Sequence, residues 1–148
     1  MEKSYVDAMY KIRLMKEDID KLLDKEPKGF ENMKAYKTFE KLLEQLEDAE
    51  ANISHYLQPT VEGRVAIEHN DKFSLKGIVL SCGSQLEMYD RESNEWFSGR
   101  VEYRHKDPSG YYFHCYDLDN PNLYEGMRVR KRVEGVYKER SKSRGEDR

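Results

Sequence analysis

Cys115 directly follows His114, and a thiol beside an imidazole is the pair from which a nucleophile and its base are built. Neighbours on an extended chain point to opposite faces, so these two cannot pass a proton directly. Glu87, Glu95 and Glu102 could supply a glycosidase-like carboxylate pair, but acidic residues on outward strand positions are ordinarily just solvated. Cys82, Cys115, His69, His105 and His114 offer sulfur and nitrogen ligands, yet no two follow the close spacing of a structural zinc site. Buried, reduced thiols and surface histidines are therefore expected. There is no glycine-rich phosphate loop, no His-Glu-x-x-His and no Gly-x-Ser-x-Gly. The expectation is a protein without catalytic residues, metal or cofactor.

Aromatic and arginine side chains carry more information. Along Trp96–Arg104, alternation puts Phe97, Gly99, Val101 and Tyr103 on one face and Trp96, Ser98, Arg100, Glu102 and Arg104 on the other. Tyr111, Phe113 and Cys115 likewise oppose Tyr112, His114 and Tyr116. Both faces then hold aromatics, more than one small core needs. Tyr, Trp and Arg dominate the hot spots of protein interfaces, so Trp96, Arg100, Arg104, Tyr112, Tyr116, Arg128, Arg130 and Arg132 are the expected partner-binding residues. The plain alternative is tyrosines capping the ends of the fold with hydroxyls in water. Arg128, Arg130 and Arg132 share a strand face and, interleaved with Trp96, could also form a stacking platform for single-stranded nucleic acid. Against this, cross-strand pairing with Glu87 and Glu102 would neutralise the patch.

Two kinds of element must position these residues. In residues 1–58, Tyr5, Ala8, Ile12, Met15, Ile19 and Leu22 recur at spacings of three and four, the seam of a coiled-coil-like helix. Ser4, with Asp7 three residues on, is the expected cap. Pro27 and Gly29 mark the reversal. A second seam runs Tyr36, Phe39, Leu43, Leu46, Ile53 and Leu57, widened by Leu42 and Ala49 and interrupted by Glu50. A short connection between amphipathic helices predicts an antiparallel hairpin. Two helices alone bury little, so the surplus apolar residues must pack elsewhere. The heptad regularity favours a homodimer through residues 5–57 over packing on the rest of the chain.

From residue 61 the period becomes two. Strands are predicted near 64–68, 73–75, 85–90, 96–104, 111–116 and 127–133, with turns at Asn70-Asp71, at 91–94, at 106–110 and at 117–122. Residues 134–148 are polar and read as a mobile tail. The fold class is α+β, a helical hairpin followed over 61–133 by a small antiparallel β-sheet or SH3-like barrel, closure being the usual way to remove exposed strand edges.

Ser81-Cys-Gly-Ser-Gln-Leu-Glu-Met-Tyr89, Glu95-Trp-Phe-Ser-Gly-Arg-Val-Glu-Tyr103, Gly110-Tyr-Tyr-Phe113 and Leu123-Tyr-Glu-Gly-Met-Arg-Val-Arg130 give a more specific lead. Over roughly 61–133 they resemble an uncharacterised family of small β-barrel domains of unknown function. That family is encoded mainly by Gram-positive bacteria, their plasmids, integrative elements and phages. The resemblance implies a barrel-like fold and a mobile-element setting, and no activity.

Bulk properties bound the partners. Twenty-six Lys or Arg stand against 29 Asp or Glu, a net charge of −3, unlike the basic footprint of a dedicated nucleic-acid binder. No apolar run approaches the roughly 18 residues that span a bilayer. Met1–Asp7 has no apolar export core, so a cytoplasmic location with no membrane partner is expected. The functional expectation is a non-enzymatic adaptor or inhibitor, self-associating through its helices and binding an unidentified protein partner. Nucleic-acid binding by the arginine strand is the alternative.

Overall fold

The computed structural model describes residues 1–134, and the chain divides into two units between Leu57 and Gln58. The tail expected at 134–148 lies, apart from Glu134, outside the described residues.

The first unit is a helical hairpin of α1 (Lys3–Leu23) and α2 (Phe30–Leu57). Gly29, at φ 91°, adopts the left-handed conformation that lets the chain reverse, and its carbonyl accepts from the Met33 N–H. Partners 45, 37 and 34 residues apart in sequence fix the antiparallel register. The Ser54 hydroxyl donates to the Met9 sulfur, Arg13 to Glu50 and Lys16 to Glu50. Glu50, which breaks the apolar seam of α2, is thus the carboxylate to which two cations of α1 converge at 2.8 Å. Those hydrogen bonds, Lys16 first and then Arg13, hold its carboxyl below the usual range. The same bond raises the Lys16 ammonium. The Ser4 cap is not formed: α1 begins at Lys3 after Glu2, which makes no side-chain cap. The seam also shifts. Met9 and Ile19 are the buried residues of α1, while Tyr5, Met15 and Leu22 are exposed.

The second unit holds eight strands, β1 (Thr60–Arg64), β2 (Ala66–Ile67), β3 (Phe73–Leu75), β4 (Ile78–Leu80), β5 (Gln85–Asp90), β6 (Glu95–Arg104), β7 (Gly110–His114) and β8 (Arg128–Arg132). They form a five-stranded antiparallel sheet in the order β1-β8-β5-β6-β7 and a three-stranded one in the order β2-β3-β4. Both sheets are open, which corrects the SH3-like barrel expected from the strand count and from the family resemblance. Closure would require β1 to meet β7, and the free side of β7 is already used. The Phe113 N–H donates to the Pro121 carbonyl and the Leu123 N–H to Tyr111, with a bridge between Tyr112 and Asn122. The remaining strands cover the inner face instead. Val65, Leu75 and Leu80 join Leu86, Val101, Phe113, Met127 and Val129 in one buried cluster. Ser74, also buried, satisfies its hydroxyl on Glu68.

Strands β1 and β4 escape the sequence reading. Thr60–Arg64 lies almost wholly before the first strand expected, near 64–68, and Ile78–Leu80 is three residues long. The thiols also divide: Cys115 is buried, but Cys82 is exposed, contrary to the expectation of two buried sulfurs. Cys82 sits in a turn that its neighbour Gly83 allows at φ 88°, rather than on the core face of a strand.

One close approach inside the large sheet sets its packing. Gly99, opposite Leu86, passes beneath the fully buried Phe113 ring. A Cβ there would run into the His114 carbonyl oxygen and stand 2.7 Å from the ring.

Candidate functional site: the outer face of the five-stranded sheet

Pairing register places every second residue of five strands on the face away from the core. It runs Glu62 opposite Arg130 opposite Glu87 opposite Ser98, with Tyr89 opposite Trp96 and Arg64 opposite Arg128 alongside. Farther across, Arg100 faces His114 and Glu102 faces Tyr112. This face carries Arg64, Arg100, Arg104, Arg128, Arg130 and Arg132 against Glu62, Glu87 and Glu102. Six cations over three anions leave a local surplus of three in a chain whose net charge is −3.

Its centre is an ion triad. Glu87, buried, accepts from Arg130 at 2.9 and 2.8 Å and from Arg132 at 2.8 Å. Burial alone would push this carboxyl up. The hydrogen bonds from Arg132 and Arg130, with their charges, outweigh burial and hold it below the usual range. Arg132 also donates to the Gln58 carbonyl. Beside the triad, Arg128 pairs with Glu62 at 2.8 Å and lies 4.2 Å from the Tyr89 ring centre, while Arg130 lies 4.1 Å from that of Trp96. Tyr89 and Trp96 meet edge to face at 5.3 Å. The cations and rings thus stack in alternation across β8, β5 and β6.

A second cluster stands at the other side of the face. Arg104 lies over Tyr112 at 4.3 Å and donates to the Asn122 side chain and the Asn120 carbonyl, all neutral partners. Tyr112, His114 and Tyr116 continue as an edge-to-face ladder with ring centres 6.2 and 5.1 Å apart, and Tyr116 is 91 % exposed. Asn120, at φ 48°, also accepts from the Cys115 N–H, which fixes the loop that presents Tyr116.

The structure therefore brings Trp96, Arg128, Arg130 and Arg132 together and separately groups Arg104, Tyr112 and Tyr116. Arg100 joins neither cluster: it pairs along its own strand with Glu102 at 2.8 Å. The sequence reading missed Tyr89, Glu62 and Arg64 as members of this face. Tyr89 was within reach, since the polar turn Arg91–Asn94 between two alternating runs puts it opposite Trp96. Glu62 and Arg64 belong to β1, whose pairing with β8 spans more than sixty residues and leaves no local signal. Lys131 points inward from the same strand. It donates to the Gln85 carbonyl at 2.9 Å, and burial pushes its ammonium down.

Among the described residues no group of three or more His, Cys, Asp or Glu side chains could hold a metal ion. None of the described helices is long and apolar enough to cross a membrane.

The fold and this face define an α+β chain in which a helical hairpin precedes an open two-sheet unit with one charged, aromatic surface. Residues 61–131 match the family model of a domain of unknown function (DUF5348), just under half of the chain, and the helical hairpin lies outside the match. The matched segment corresponds to the expected domain of unknown function, with open sheets in place of the expected small barrel. No curated protein and no solved structure matches the chain.

Proposed function

We propose that this chain is a non-enzymatic, cytoplasmic protein-binding adaptor or inhibitor. It self-associates through its helices and presents the outer face of the five-stranded sheet to an acidic protein partner. The observation that carries this reading is the three-charge cationic surplus on a face that also displays Trp96, Tyr89, Tyr112 and the nearly fully exposed Tyr116. Arginine beside aromatic rings is the composition of interface hot spots, and unbalanced positive charge steers and orients an acidic surface. The mobile-element setting is supported by the family resemblance alone.

Nucleic-acid binding is the second reading, favoured by the same surplus. Less favourable to it, guanidinium groups already lie over Trp96, Tyr89 and Tyr112, the rings on which bases would stack. Arg64 and Arg104 are the cations to reverse in testing either reading, because their partners are carbonyls, an amide and, for Arg104, the Tyr112 ring. Their reversal leaves no carboxylate unpaired, whereas reversal of Arg130 would set a new anion against buried Glu87.

The test places a photo-crosslinking amino acid at position 116 in the producing cell, in wild type and in R64E/R104E. A discrete acidic protein adduct that the double variant loses is the expected result. In parallel, the purified chain is passed over single-stranded DNA and RNA at low salt, where phosphate contacts are strongest. Retention lost in R64E/R104E, with no protein adduct at position 116, would replace the adaptor reading with the nucleic-acid one.

A further inference from the structure

Helix α1 is apolar on two sides, and only one of them faces α2. Met9, Ile12, Lys16, Ile19 and Leu23 are buried or half-buried, with Met9 and Lys16 reaching Ser54 and Glu50 of α2. Ala8, Met15 and Leu22 repeat every seven residues about 80° around the helix from that seam. All three are exposed, Met15 by 51 % and Leu22 by 58 %. A row at heptad spacing is the geometry by which one helix seats another.

We infer that this row docks antiparallel on the same row of a second copy of the chain, about a two-fold axis at Met15. This rests on the self-association in the reading above and names its face and register. In that register Met15 meets the partner's Met15, and Ala8 meets the partner's Leu22. The flanking charges choose the direction. Lys11 falls opposite the partner's Asp18, and Asp18 opposite the partner's Lys11, so each ion pair is made twice. A parallel pairing would instead put Lys11 and the partner's Asp18 on opposite borders of the seam and about 10 Å apart in height, so neither pair would form. The closed end of the hairpin supplies a second fit. Leu22, Pro27, Tyr36 and Phe39 line an open cleft of about 400 Å³ there. The antiparallel register carries exposed Tyr5 and Met1 of the second copy past it.

The experiment is light scattering on the full chain across a dilution series, with charge swaps and single cysteines. Wild type is expected to be a dimer. K11D and D18K should each weaken dimerisation roughly tenfold, since each replaces two attractions with two repulsions, and K11D/D18K should restore it. In a C82S background, M15C should oxidise to a disulfide dimer. L22C should not, because its two copies would stand 14 residues, about 21 Å, apart along the helix. A dimer indifferent to the swaps, or one crosslinked through L22C rather than M15C, places the contact on another face and overturns this inference alone. A monomeric wild type overturns self-association itself and leaves the acidic-partner reading of the sheet untouched.

Discussion

Glu87 is the residue on which the outer face depends. Its carboxylate is 7 % exposed and serves two guanidinium groups, of which Arg130 keeps 25 % exposure and Arg132 14 %. Replacing it with glutamine keeps the shape and leaves two cations half-buried without their anion. Breaking a buried pair costs about 3–5 kcal/mol, and the partial exposure of Arg130 puts Glu87→Gln near the lower end, about 3 kcal/mol in urea unfolding. Glu62→Gln, which removes the exposed partner of Arg128, should cost less than about 1 kcal/mol. The pH dependence follows from the depressed carboxyl of Glu87. Its contribution is present above the unfolded-state value of about 4.3 and is lost as pH falls through the lower folded value. An acid-unfolding curve unchanged by Glu87→Gln would contradict the triad. Alternation put Trp96, Arg100 and Arg104 on one strand face and Arg128, Arg130 and Arg132 on another, with Glu87 as a cross-strand partner. What it could not show is that one carboxylate would take two arginines, because that depends on which strands become neighbours.

The elements explain which expectations held their shape and which moved. In the hairpin, spacing read from one helix finds apolar rows but not which row the neighbouring helix takes. Met9 and Lys16 turn towards α2 in place of Tyr5 and Met15, since Glu50 draws Arg13 and Lys16 to that side. In the sheet, the hairpin of β5 and β6 follows from its four-residue turn, while the meeting of β1 with β8 joins distant segments. Gly99 shows how closely β6 and β7 are fitted. Gly99→Ala must displace either a backbone carbonyl or the buried Phe113 ring, and overpacking of that kind costs about 3 kcal/mol. The midpoint of chemical unfolding reads this directly, and a loss under about 0.5 kcal/mol would mean the two strands can separate without penalty.

At the scale of the whole chain, the division at Leu57 sets where the second unit can be cut. A fragment beginning at Gln58 keeps the Gln58 carbonyl that accepts from Arg132 and the Pro59 carbonyl that accepts from the Val133 N–H. It retains β1 and should unfold cooperatively, as small single domains do. A fragment beginning at Val65 loses β1 and exposes one side of β8, the strand that carries three arginines of the outer face. It is expected to lose cooperative unfolding by circular dichroism. Equal cooperativity in both fragments would show β1 to be dispensable. The change of hydrophobic period from three-and-four to two made the passage from helix to strand near residue 60 legible. The partition of the strands into two sheets was not, because β2, β3 and β4 are only two or three residues long and carry too few positions to tell whether they continue one sheet or cover another.

The segment that lies along the free side of β7 also decides how this protein can take hold of another. The Phe113 N–H and the Tyr111 carbonyl, the groups an incoming peptide would use to extend the sheet, are already bonded to Pro121 and Leu123. Strand addition at that border is blocked, and with it the edge-to-edge stacking that turns open sheets into aggregates. Recognition there falls to side chains alone, so it depends on the composition of Tyr112, His114 and Tyr116 and is indifferent to whether the partner offers an extended backbone.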